Sequence, residues 1–424
     1  MCMGGRVGNH RLYPEADRAN GSFVACGHQT WRGGSPPALG VNGVRMMDAK
    51  PLHIIVVGGS IAGLSTGIAL RCIGCDVSIY ERSHDTLRGR GGGLVVQYEM
   101  LDWMVDHGIT TLETLSIPGV ERQFLDQSGH VIQAFPDATP FTSWDAVFHQ
   151  LRAAFPDEHY HLGKQCVAIA EGPDACVVAF ADGERAHADI VVGADGLGSI
   201  VRTYLFPETK PRYAGYVAWR GVFSESRAPQ EVVQALANKF TLYQGADFHL
   251  LTYLIPGEQG EVEPGHRRVN WVWYWNTDER TELPNLLVDI DGMRHHASVG
   301  AGKVQPSHIA LLWERAQRVL PPVLAELVHA TASPFMQVIY DLLSPAMYRG
   351  RLLLIGDSAC IVRPHTASGT SKASGDAVSL AQHLQASNFD VSAALPRWQA
   401  ERMAVATRLI HHGRSLARRS GLGT

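Results

Sequence analysis

The chain has 424 residues, 45% hydrophobic and 18% charged, so it can bury a substantial core and is not disordered throughout. Its 37 basic and 41 acidic residues give a net charge of -4, which argues against a nucleic-acid-binding protein. Seven cysteines scattered over this length are not a disulfide framework, and their odd number favours a reducing, cytoplasmic location.

The N-terminal stretch, residues 1–47, shows neither helical nor strand periodicity and is rich in Gly, Pro, Asn and Arg. It lacks the apolar run of about 7 to 15 residues that a secretory signal needs. A transit peptide is the alternative, because arginines outnumber acidic residues here, but no amphipathic helix can be drawn. We predict a disordered extension, with the working protein beginning near Met46 and Met47.

A strand–turn–helix–strand pattern follows. Residues 53–57 form a short β-branched run that ends in Gly-Gly-Ser-Ile-Ala-Gly at 58–63. A helical pattern comes next, and a second alternating run at 77–80 ends at Glu81 and Arg82. This order of elements is typical of a dinucleotide-binding fold.

Each small residue in this first turn has a physical role. Gly58 permits the tight turn, Gly63 permits close helix–strand packing, and Ser60 replaces the middle glycine of the usual motif. The free amides at the helix start can hold a pyrophosphate, and Glu81 can accept hydrogen bonds from ribose hydroxyls. Residues 52–70 contain no charged side chain, so a buried helix or a membrane span is the alternative, against which the glycine pair argues.

Other candidate sites have structural explanations. Cys72 and Cys75 form a CxxC without the second pair that a zinc site needs. The adjacent pairs His295-His296 and His411-His412 cannot face one ligand, so we predict no metal site. No G-x-S-x-G motif indicates a hydrolase. The C-terminal arginines predict the solvated face of a final helix, with a membrane-surface helix as the alternative: Arg402, Arg408, Arg414, Arg418 and Arg419.

Two further apolar strands end in glycine turns far along the chain. Residues 190–193 lead into Ala-Asp-Gly at 194–196, followed by a helix start. Residues 351–355 lead into Gly356 and Asp357, and a loop with proline and glycine then precedes another helix. Each segment alone is an ordinary strand end of an α/β protein.

Together the three motifs resemble the fingerprints of the class A FAD-dependent monooxygenases, which have the para-hydroxybenzoate hydroxylase fold. The resemblance implies that Asp195 supports both FAD and NADH or NADPH and that Asp357 holds the ribityl chain. It also aligns residues 364–373 with a family loop whose helix start stabilises reduced flavin, although Ser371 replaces the usual asparagine. The residues assigned to FAD are Gly58, Ser60, Gly63, Glu81, Arg82, Asp195, Asp357, Pro364, Gly369 and Ser371.

One subgroup is more similar still. Residues 213–221, 270–275, 298–304 and 363–367 look like those of the 2,6-dihydroxypyridine 3-hydroxylases. Residues 271–275 also loosely resemble a halogenase W-x-W-x-I-P motif, but Asn-Thr replaces Ile-Pro. We predict instead that they form a strand with one aromatic face toward the pocket. The arginine with which many class A members contact FAD has no counterpart at 142–144.

The implied fold is α/β, a Rossmann-like FAD-binding domain with an inserted, mainly antiparallel β-sheet substrate domain. We expect FAD-binding segments at 48–210 and 341–385, the substrate domain at 211–340, and a C-terminal helical segment at 386–424. The oligomeric state stays open, with a homodimer as one option, and no membrane span is expected.

The implied activity is hydroxylation of an electron-rich aromatic or N-heteroaromatic small molecule, using O2 and NADH or NADPH through a C4a-hydroperoxyflavin. His365 and Tyr216 are the candidate catalytic residues, because a base or acceptor beside the substrate hydroxyl makes the ring more electron-rich. Their alternative is structural: His365 capping its loop and Tyr216 packing in the sheet. The functional alternatives are a flavin epoxidase or Baeyer–Villiger-type oxygenase, and a non-catalytic nucleotide-binding protein.

Overall fold

The computed structural model describes residues 51–85, 87 and 91–423, so the predicted extension at 1–47 lies outside the described residues. In chain order the first strands are β1 (His53–Val57), β2 (Asp76–Tyr80), β3 (Gly93–Val95), β4 (Glu121–Leu125), β5 (Val131–Pro136), β6 (Phe141–Ser143), β7 (Tyr160–His161), β8 (Cys166–Glu171), β9 (Cys176–Phe180), β10 (Arg185–Ala188) and β11 (Ile190–Gly193). They are followed by β12 (Arg212–Ser224), β13 (Lys239–Gln244), β14 (Phe248–Ile255), β15 (Arg268–Asn276), β16 (Ser298–Val299), β17 (Phe335–Leu343), β18 (Tyr348–Arg349), β19 (Leu352–Leu354) and β20 (Cys360–Ile361).

The helices alternate with these strands. They are α1 (Ile61–Cys72), α2 (Tyr98–Asp106), α3 (Leu112–Leu115), α4 (Trp144–Ala153), α5 (Ile200–Leu205), α6 (Gln230–Leu236), α7 (Leu283–Leu286), α8 (Pro306–Val319), α9 (Pro322–Ala330), α10 (Gly369–Ala386) and α11 (Val391–Arg419). None of them, within the part of the chain that the structure describes, is long and apolar enough to cross a membrane.

A mainly parallel sheet has the strand order β18-β19-β11-β1-β2-β7, with only β18 antiparallel to its neighbour. Val57 at the end of β1 lies opposite Tyr80 of β2 and Gly193 of β11, and Gly193 lies opposite Leu354 of β19. Four strands that are distant in sequence therefore end at the same edge. Ligands of open parallel sheets bind at this carboxyl edge.

The second large sheet is mainly antiparallel, in the order β16-β17-β12-β15-β14-β13-β4-β5, and β20 pairs with β17. It confirms the predicted antiparallel sheet. It also includes β4 and β5, which come from the segment 48–210, and β4 pairs with β13 in parallel. Strand β17 runs across the expected boundary at residue 340. The division of the chain into domains stays a prediction.

The two faces of this antiparallel sheet differ. Trp271, Trp273 and Trp275 of β15 are buried in a core with residues of α8 and α9. Tyr274 lies on the opposite face, where it packs with Tyr216 of β12. Side chains alternate along a strand, so the tryptophans cannot share the face of Tyr274. The tryptophans therefore pack against the helical layer, and Tyr274 is the aromatic residue of this segment on the face of Tyr216.

The last helix, α11, packs along α10 and buries Trp398 completely. The prediction of a solvated arginine face is correct for Arg408, Arg414, Arg418 and Arg419, which are exposed. It is wrong for Arg402, which is only 3% exposed. Arg402 points into the protein because carboxylates inside it provide partners for a buried guanidinium, as described below.

Candidate active site

The turn after β1 leaves no space for side chains. Gly58 has φ +104°, in the left-handed region that favours glycine, and a Cβ atom there would collide with the carbonyl oxygen of Ala194. A Cβ at Gly63 would collide with the carbonyl oxygen of Gly58. Both predicted glycine roles therefore have a steric basis here. Ser60 is the N-cap of α1, and its side chain makes no capping hydrogen bond.

Glu81 lies directly beside this turn. Its Oε2 accepts a hydrogen bond of 2.8 Å from the Gly59 amide, and its Oε1 accepts one of 2.9 Å from the Ser83 amide. The carboxylate is 6% exposed. Each oxygen keeps a second lone pair for ribose hydroxyls, so the predicted role and an anchoring role are compatible. Arg82, also predicted to bind FAD, is exposed.

Asp195 follows β11 at the same edge. Its Oδ2 accepts a hydrogen bond of 2.8 Å from the Ile200 amide at the start of α5. Its Oδ1 is buried and has no hydrogen-bond partner among the described residues. Burial raises the pKa of Asp195, and hydrogen bonds from the α5 start oppose that rise. A buried acceptor without a donor indicates a place where a ligand can supply one.

Arg202 connects the second and third motifs, a role that the sequence did not reveal. Its side chain is 3% exposed, and Nη1 donates to the carbonyl oxygens of Gly196 at 3.3 Å and of Ser358 at 3.1 Å. The arginine lies on α5, the helix that follows Asp195 and Gly196, but its partner Ser358 is distant in sequence. Only the pairing of β11 with β19 brings the two together.

Asp357 follows β19 at the same edge of the parallel sheet. It is accessible to solvent, although protein atoms crowd its carboxyl group on several sides. This crowding raises the pKa of Asp357, while the positive charges of Lys372 and Arg202 oppose the rise. Such a carboxylate is suited to accept hydrogen bonds from the hydroxyls of a bound ligand.

A buried ion network lies behind Asp357. Lys372 Nζ is 2.7 Å from Asp376 Oδ2 and donates to the Gly356 carbonyl oxygen at 3.1 Å. Arg402 Nε donates to Asp376 Oδ1 at 2.9 Å, and its Nη1 lies 3.1 Å from Glu99. Burial disfavours the charged form of Lys372, but Asp376 outweighs this effect and the pKa of Lys372 is raised. We call Glu99, Lys372, Asp376 and Arg402 the α10 ion network.

The loop before α10 carries the remaining residues predicted to bind FAD. Pro364 begins a short 3-10 helix, Pro364–Thr366, and α10 begins at Gly369, within the segment 364–373 where a helix start was expected. The amides of Gly369, Thr370 and Ser371 have no partners within the described ranges, since a first helical turn lacks acceptors for them. These amides and the helix dipole favour a negatively charged group at this end.

The two predicted catalytic residues touch each other. Tyr216 Oη and His365 Nε2 are joined by a hydrogen bond of 2.8 Å, and their rings stack with centroids 5.5 Å apart. Two residues that the sequence analysis missed complete the cluster: Tyr274, 4.7 Å from the His365 ring, and His249, 5.0 Å from it. Side chains alternate along β14 and β15, so both residues could have been assigned to this face of the sheet once the face that carries Tyr216 was identified.

Burial is the main reason why this cluster is neutral. Burial lowers the pKa of His249 to about 4. Burial, with the neighbouring His249 and Arg363, holds the pKa of His365 well below its usual value. Burial raises the pKa of Tyr216, and the positive charge of Arg363 opposes that rise. Arg363 is itself held by Asp341, with Nε–Oδ1 and Nη2–Oδ2 distances of 3.0 and 2.9 Å.

These features fit an FAD molecule. Gly58 and Gly63 let the turn after β1 close tightly against the start of α1, Asp195 has an unpartnered buried oxygen, and Asp357 is exposed at the same edge of the sheet. The donors and acceptors are of the kinds that pyrophosphate, ribose and ribityl groups require. Over residues 51–85, 87 and 91–423, no three His, Cys, Asp or Glu side chains converge to hold a metal ion.

Comparison with known families and curated proteins assigns the class. The family described as FAD binding domain matches residues 338–412, and the family described as FAD binding domain-like matches residues 213–341. A 2,6-dihydroxypyridine 3-monooxygenase of Paenarthrobacter nicotinovorans is 36% identical, over 83% of this chain and 87% of the relative. A 6-hydroxynicotinate 3-monooxygenase of Pseudomonas fluorescens is 28% identical, over 85% of this chain and 90% of the relative.

Solved structures agree with this assignment. The 2,6-dihydroxypyridine-3-hydroxylase of Arthrobacter nicotinovorans superimposes with a TM-score of 0.83 at 34% identity, covering 88% of this chain and 93% of that one. A salicylate hydroxylase shares the fold, with a TM-score of 0.66 at 20% identity, over 88% of this chain and 89% of that one. The chain belongs to the class A FAD-dependent aromatic hydroxylases. It is a monooxygenase that uses FAD, with NADH or NADPH as co-substrate.

Proposed function

We propose that this enzyme hydroxylates a ring that already carries a hydroxyl group, and that Tyr216 and His365 bind this group. The observation that carries the proposal is their 2.8 Å hydrogen bond in a neutral, largely desolvated aromatic cluster. The relatives act, by their names, on a dihydroxypyridine and a hydroxynicotinate. We therefore place the substrate among hydroxylated N-heteroaromatic rings or similarly electron-rich hydroxyarenes.

The residues at the carboxyl edge of the parallel sheet would hold the cofactor. Gly58, Ser60, Gly63, Glu81 and Arg82 would take its ADP part. The acidic residue after β19 and those before and within α10 would take the ribityl chain and flavin: Asp357, Pro364, Gly369 and Ser371. Asp195 would complete the site between them. Bound FAD supplies the redox and oxygen chemistry, taking electrons from NADH or NADPH and delivering one oxygen atom to the ring.

The protein's contribution at the ring is a hydrogen bond that is maintained across the physiological pH range. A histidine whose pKa lies well below 6.5 stays neutral, so His365 keeps one ring nitrogen able to accept and one able to donate. An acceptor beside a ring hydroxyl draws its proton away and pushes electron density into the ring. Tyr216 orients the imidazole, because its hydroxyl occupies Nε2.

The test is to replace His365 and Tyr216 separately and to follow flavin reduction and ring hydroxylation as separate half-reactions. We expect H365A and Y216F to keep near-normal FAD content while hydroxylation slows by about 10²- to 10⁴-fold and hydrogen peroxide release rises. His187→Ala is the matched control, because His187 is exposed on β10. Unchanged rate and coupling in both variants would return the pair to a structural role.

The proposal also covers the location, the assembly and the domain division of the enzyme. We place the enzyme in the cytoplasm, which is supported by free thiols at the described cysteines: Cys72, Cys75, Cys166, Cys176 and Cys360. We retain a homodimer as the expected assembly, to be tested by light scattering. We also retain FAD-binding segments at 48–210 and 341–385 around a substrate domain at 211–340.

A further inference from the structure

The chain turns back onto the antiparallel sheet where α11 ends. Within residues 420–423, which we call the strap, the Gly421 amide donates to the Arg418 carbonyl oxygen at 3.1 Å. The Leu422 amide donates to the Ala417 carbonyl oxygen at 2.9 Å. Gly421 has φ +65°, so this is the Schellman motif, in which a left-handed residue ends a helix. The motif reverses the chain and brings Leu422 into the same core as Ala417.

Leu422 is buried in the aromatic cluster of the candidate active site. It is 0% exposed and shares a hydrophobic core with Tyr216 and Tyr274. Tyr216 is also 0% exposed, although it lies on the face of the sheet opposite the layer of α8 and α9. The strap is therefore part of the cover that separates the Tyr216 ring from solvent.

Asn276 fastens the strap on both sides of Leu422. Its Nδ2 donates to the Gly421 carbonyl oxygen at 2.8 Å, and its Oδ1 accepts a hydrogen bond of 2.8 Å from the Gly423 amide. Asn276 is the residue opposite Tyr216 in the pairing of β12 with β15. Directly opposite residues are neighbours on one face of a sheet, so the strap is fastened next to Tyr216.

Gly423 brings the backbone of the strap close to the Tyr216 ring. A Cβ atom on Gly423 would lie 2.3 Å from the Ala214 carbonyl oxygen, 3.0 Å from Arg363 Nη1 and 3.3 Å from Tyr216 Cδ1. Its φ of +77° is in the left-handed region, so a side chain here would also strain the backbone. The guanidinium carbon of Arg363 lies 5.6 Å from the centroid of the same ring. The strap and Arg363 therefore both pack against Tyr216.

The helix that leads into the strap also supports the loop of His365. A Cβ atom on Gly413 of α11 would lie 3.2 Å from Arg363 Cβ and 3.2 Å from Thr366 Cγ2. These two residues flank the segment that carries His365. One helix with its strap therefore contacts both the loop of His365 and the ring of Tyr216.

We propose that Asn276 and Leu422 are positioning residues, which act through the strap to hold the Tyr216 ring in place for its hydrogen bond with His365. This inference rests on the proposed function, because the pair that the strap positions is the pair proposed to bind the ring hydroxyl. A loosened strap would let the Tyr216 ring move and would admit water beside it. The hydrogen bond to His365 would then be formed for a smaller fraction of the time.

The experiment measures the position of the ring separately from turnover. The oxidised holoenzyme is labelled with fluorotyrosine, its fluorine NMR spectrum is recorded without NADH or NADPH, and the Tyr216 resonance is assigned by its absence in Tyr216→Phe. We expect Asn276→Ala and Leu422→Ala to shift or broaden this resonance. Leu422→Met should restore most of it, because methionine conserves the buried volume.

Turnover of the same variants is then followed with hydrogen peroxide release. Hydroxylation should slow by about 10-fold in Asn276→Ala and Leu422→Ala, because a small misplacement of a catalytic group can cost up to about 100-fold. Peroxide released per NADH or NADPH consumed should rise in both, and FAD content should stay near normal. If Leu422→Ala does not fold, Asn276→Ala decides the question, because it removes two hydrogen bonds at a half-buried position and no core volume.

Two control variants separate positioning from a general loss of stability. Leu312 is also 0% exposed, but it lies on α8 in the core of the helical layer. Leu312→Ala should therefore lower stability without moving the Tyr216 resonance. Asn285 is exposed on α7, and Asn285→Ala should keep the wild-type resonance and the wild-type peroxide yield.

The spectrum decides the fate of the proposal. A Tyr216 resonance that is unchanged in both Asn276→Ala and Leu422→Ala would overturn it, as would an equal change in Leu312→Ala. A resonance that moves while hydroxylation and peroxide release keep their wild-type values would support the positioning role and count against the proposed function of the pair. The two failures are therefore distinguishable.

Discussion

The α10 ion network supports a quantitative prediction about Lys372. Its ammonium is 1% exposed and Asp376 is 0% exposed, so replacing the lysine leaves a carboxylate in the interior without its closest cation. Breaking a buried pair by removing one partner costs about 3 to 5 kcal/mol. Arg402 Nε and the Gly356 amide still donate to Asp376, at 2.9 and 3.1 Å. We therefore expect Lys372→Met to lose about 3 kcal/mol, the lower end of that range.

The assay is urea unfolding of the apoprotein followed by tryptophan fluorescence, so that a change in FAD affinity does not contribute to the measured free energy of unfolding. Lys164→Met is the matched control, because Lys164 pairs with Asp182 at 2.7 Å near the surface, where such pairs contribute about 0 to 1 kcal/mol. The Lys372 variant should also bind FAD more weakly, since Lys372 holds the carbonyl oxygen of Gly356, the residue before Asp357. A loss in Lys372→Met no larger than that in Lys164→Met would refute the reasoning.

Three further predictions concern the cofactor edge and the aromatic cluster. Asp357→Ala should weaken FAD binding by about 1.5 to 3 kcal/mol in fluorescence titrations of the apoprotein, whereas Asp182→Ala should bind FAD normally; equal affinities would contradict the assignment. Gly58→Ala should reduce both the FAD content and the free energy of unfolding. Gly74 has φ +92° and no atom within 4 Å of an added Cβ, so Gly74→Ala should lower the free energy of unfolding by only about 1 kcal/mol, through backbone strain. FAD content and urea unfolding would show the difference. The pKa of His249 in the folded protein is about 4, below the 6.5 of an unperturbed histidine. As the pH falls through 6.5, the unfolded chain therefore takes up the proton before the folded protein does, and the free energy of unfolding decreases. Between pH 8 and pH 5 wild type should lose about 2 kcal/mol more than His249→Asn; parallel pH profiles of the two proteins would be inconsistent with this origin.

The candidate FAD-binding residues at the carboxyl edge of the parallel sheet could be predicted from short stretches of sequence. Gly58 and Gly63 are required by backbone sterics within one turn, Glu81 follows a strand whose length sets its position, and the start of α10 at Gly369 is marked by glycine after a proline-containing loop. The 2.8 Å contact of Tyr216 with His365 was not predicted as a contact. Each was placed near the flavin through the family resemblance, and their direct pairing depends on tertiary packing.

The features that the sequence did not reveal depend on partners far along the chain. Lys372 and Asp376 are four residues apart on a helix, and this spacing is visible in the sequence. Arg402 and Glu99 bury the Lys372–Asp376 pair only because α11 and α2 pack against α10. The pairing of β4 with β13 likewise joins segments on either side of the expected boundary at 210, and nothing in either strand specifies that choice.

The order of strands in the parallel sheet has a consequence for biosynthesis. Ile54 of β1 is paired on one side with Val77 and on the other with Ile190, and Val191 is paired with Leu352. On the ribosome, β1 and β2 therefore emerge long before the strands that flank and extend them. The ligand-binding edge closes only after β19 and the start of α10 have been synthesised, so FAD joins a nearly finished chain. Contacts of this sequence separation fold slowly, and the apolar edge of β1 needs protection from aggregation during translation.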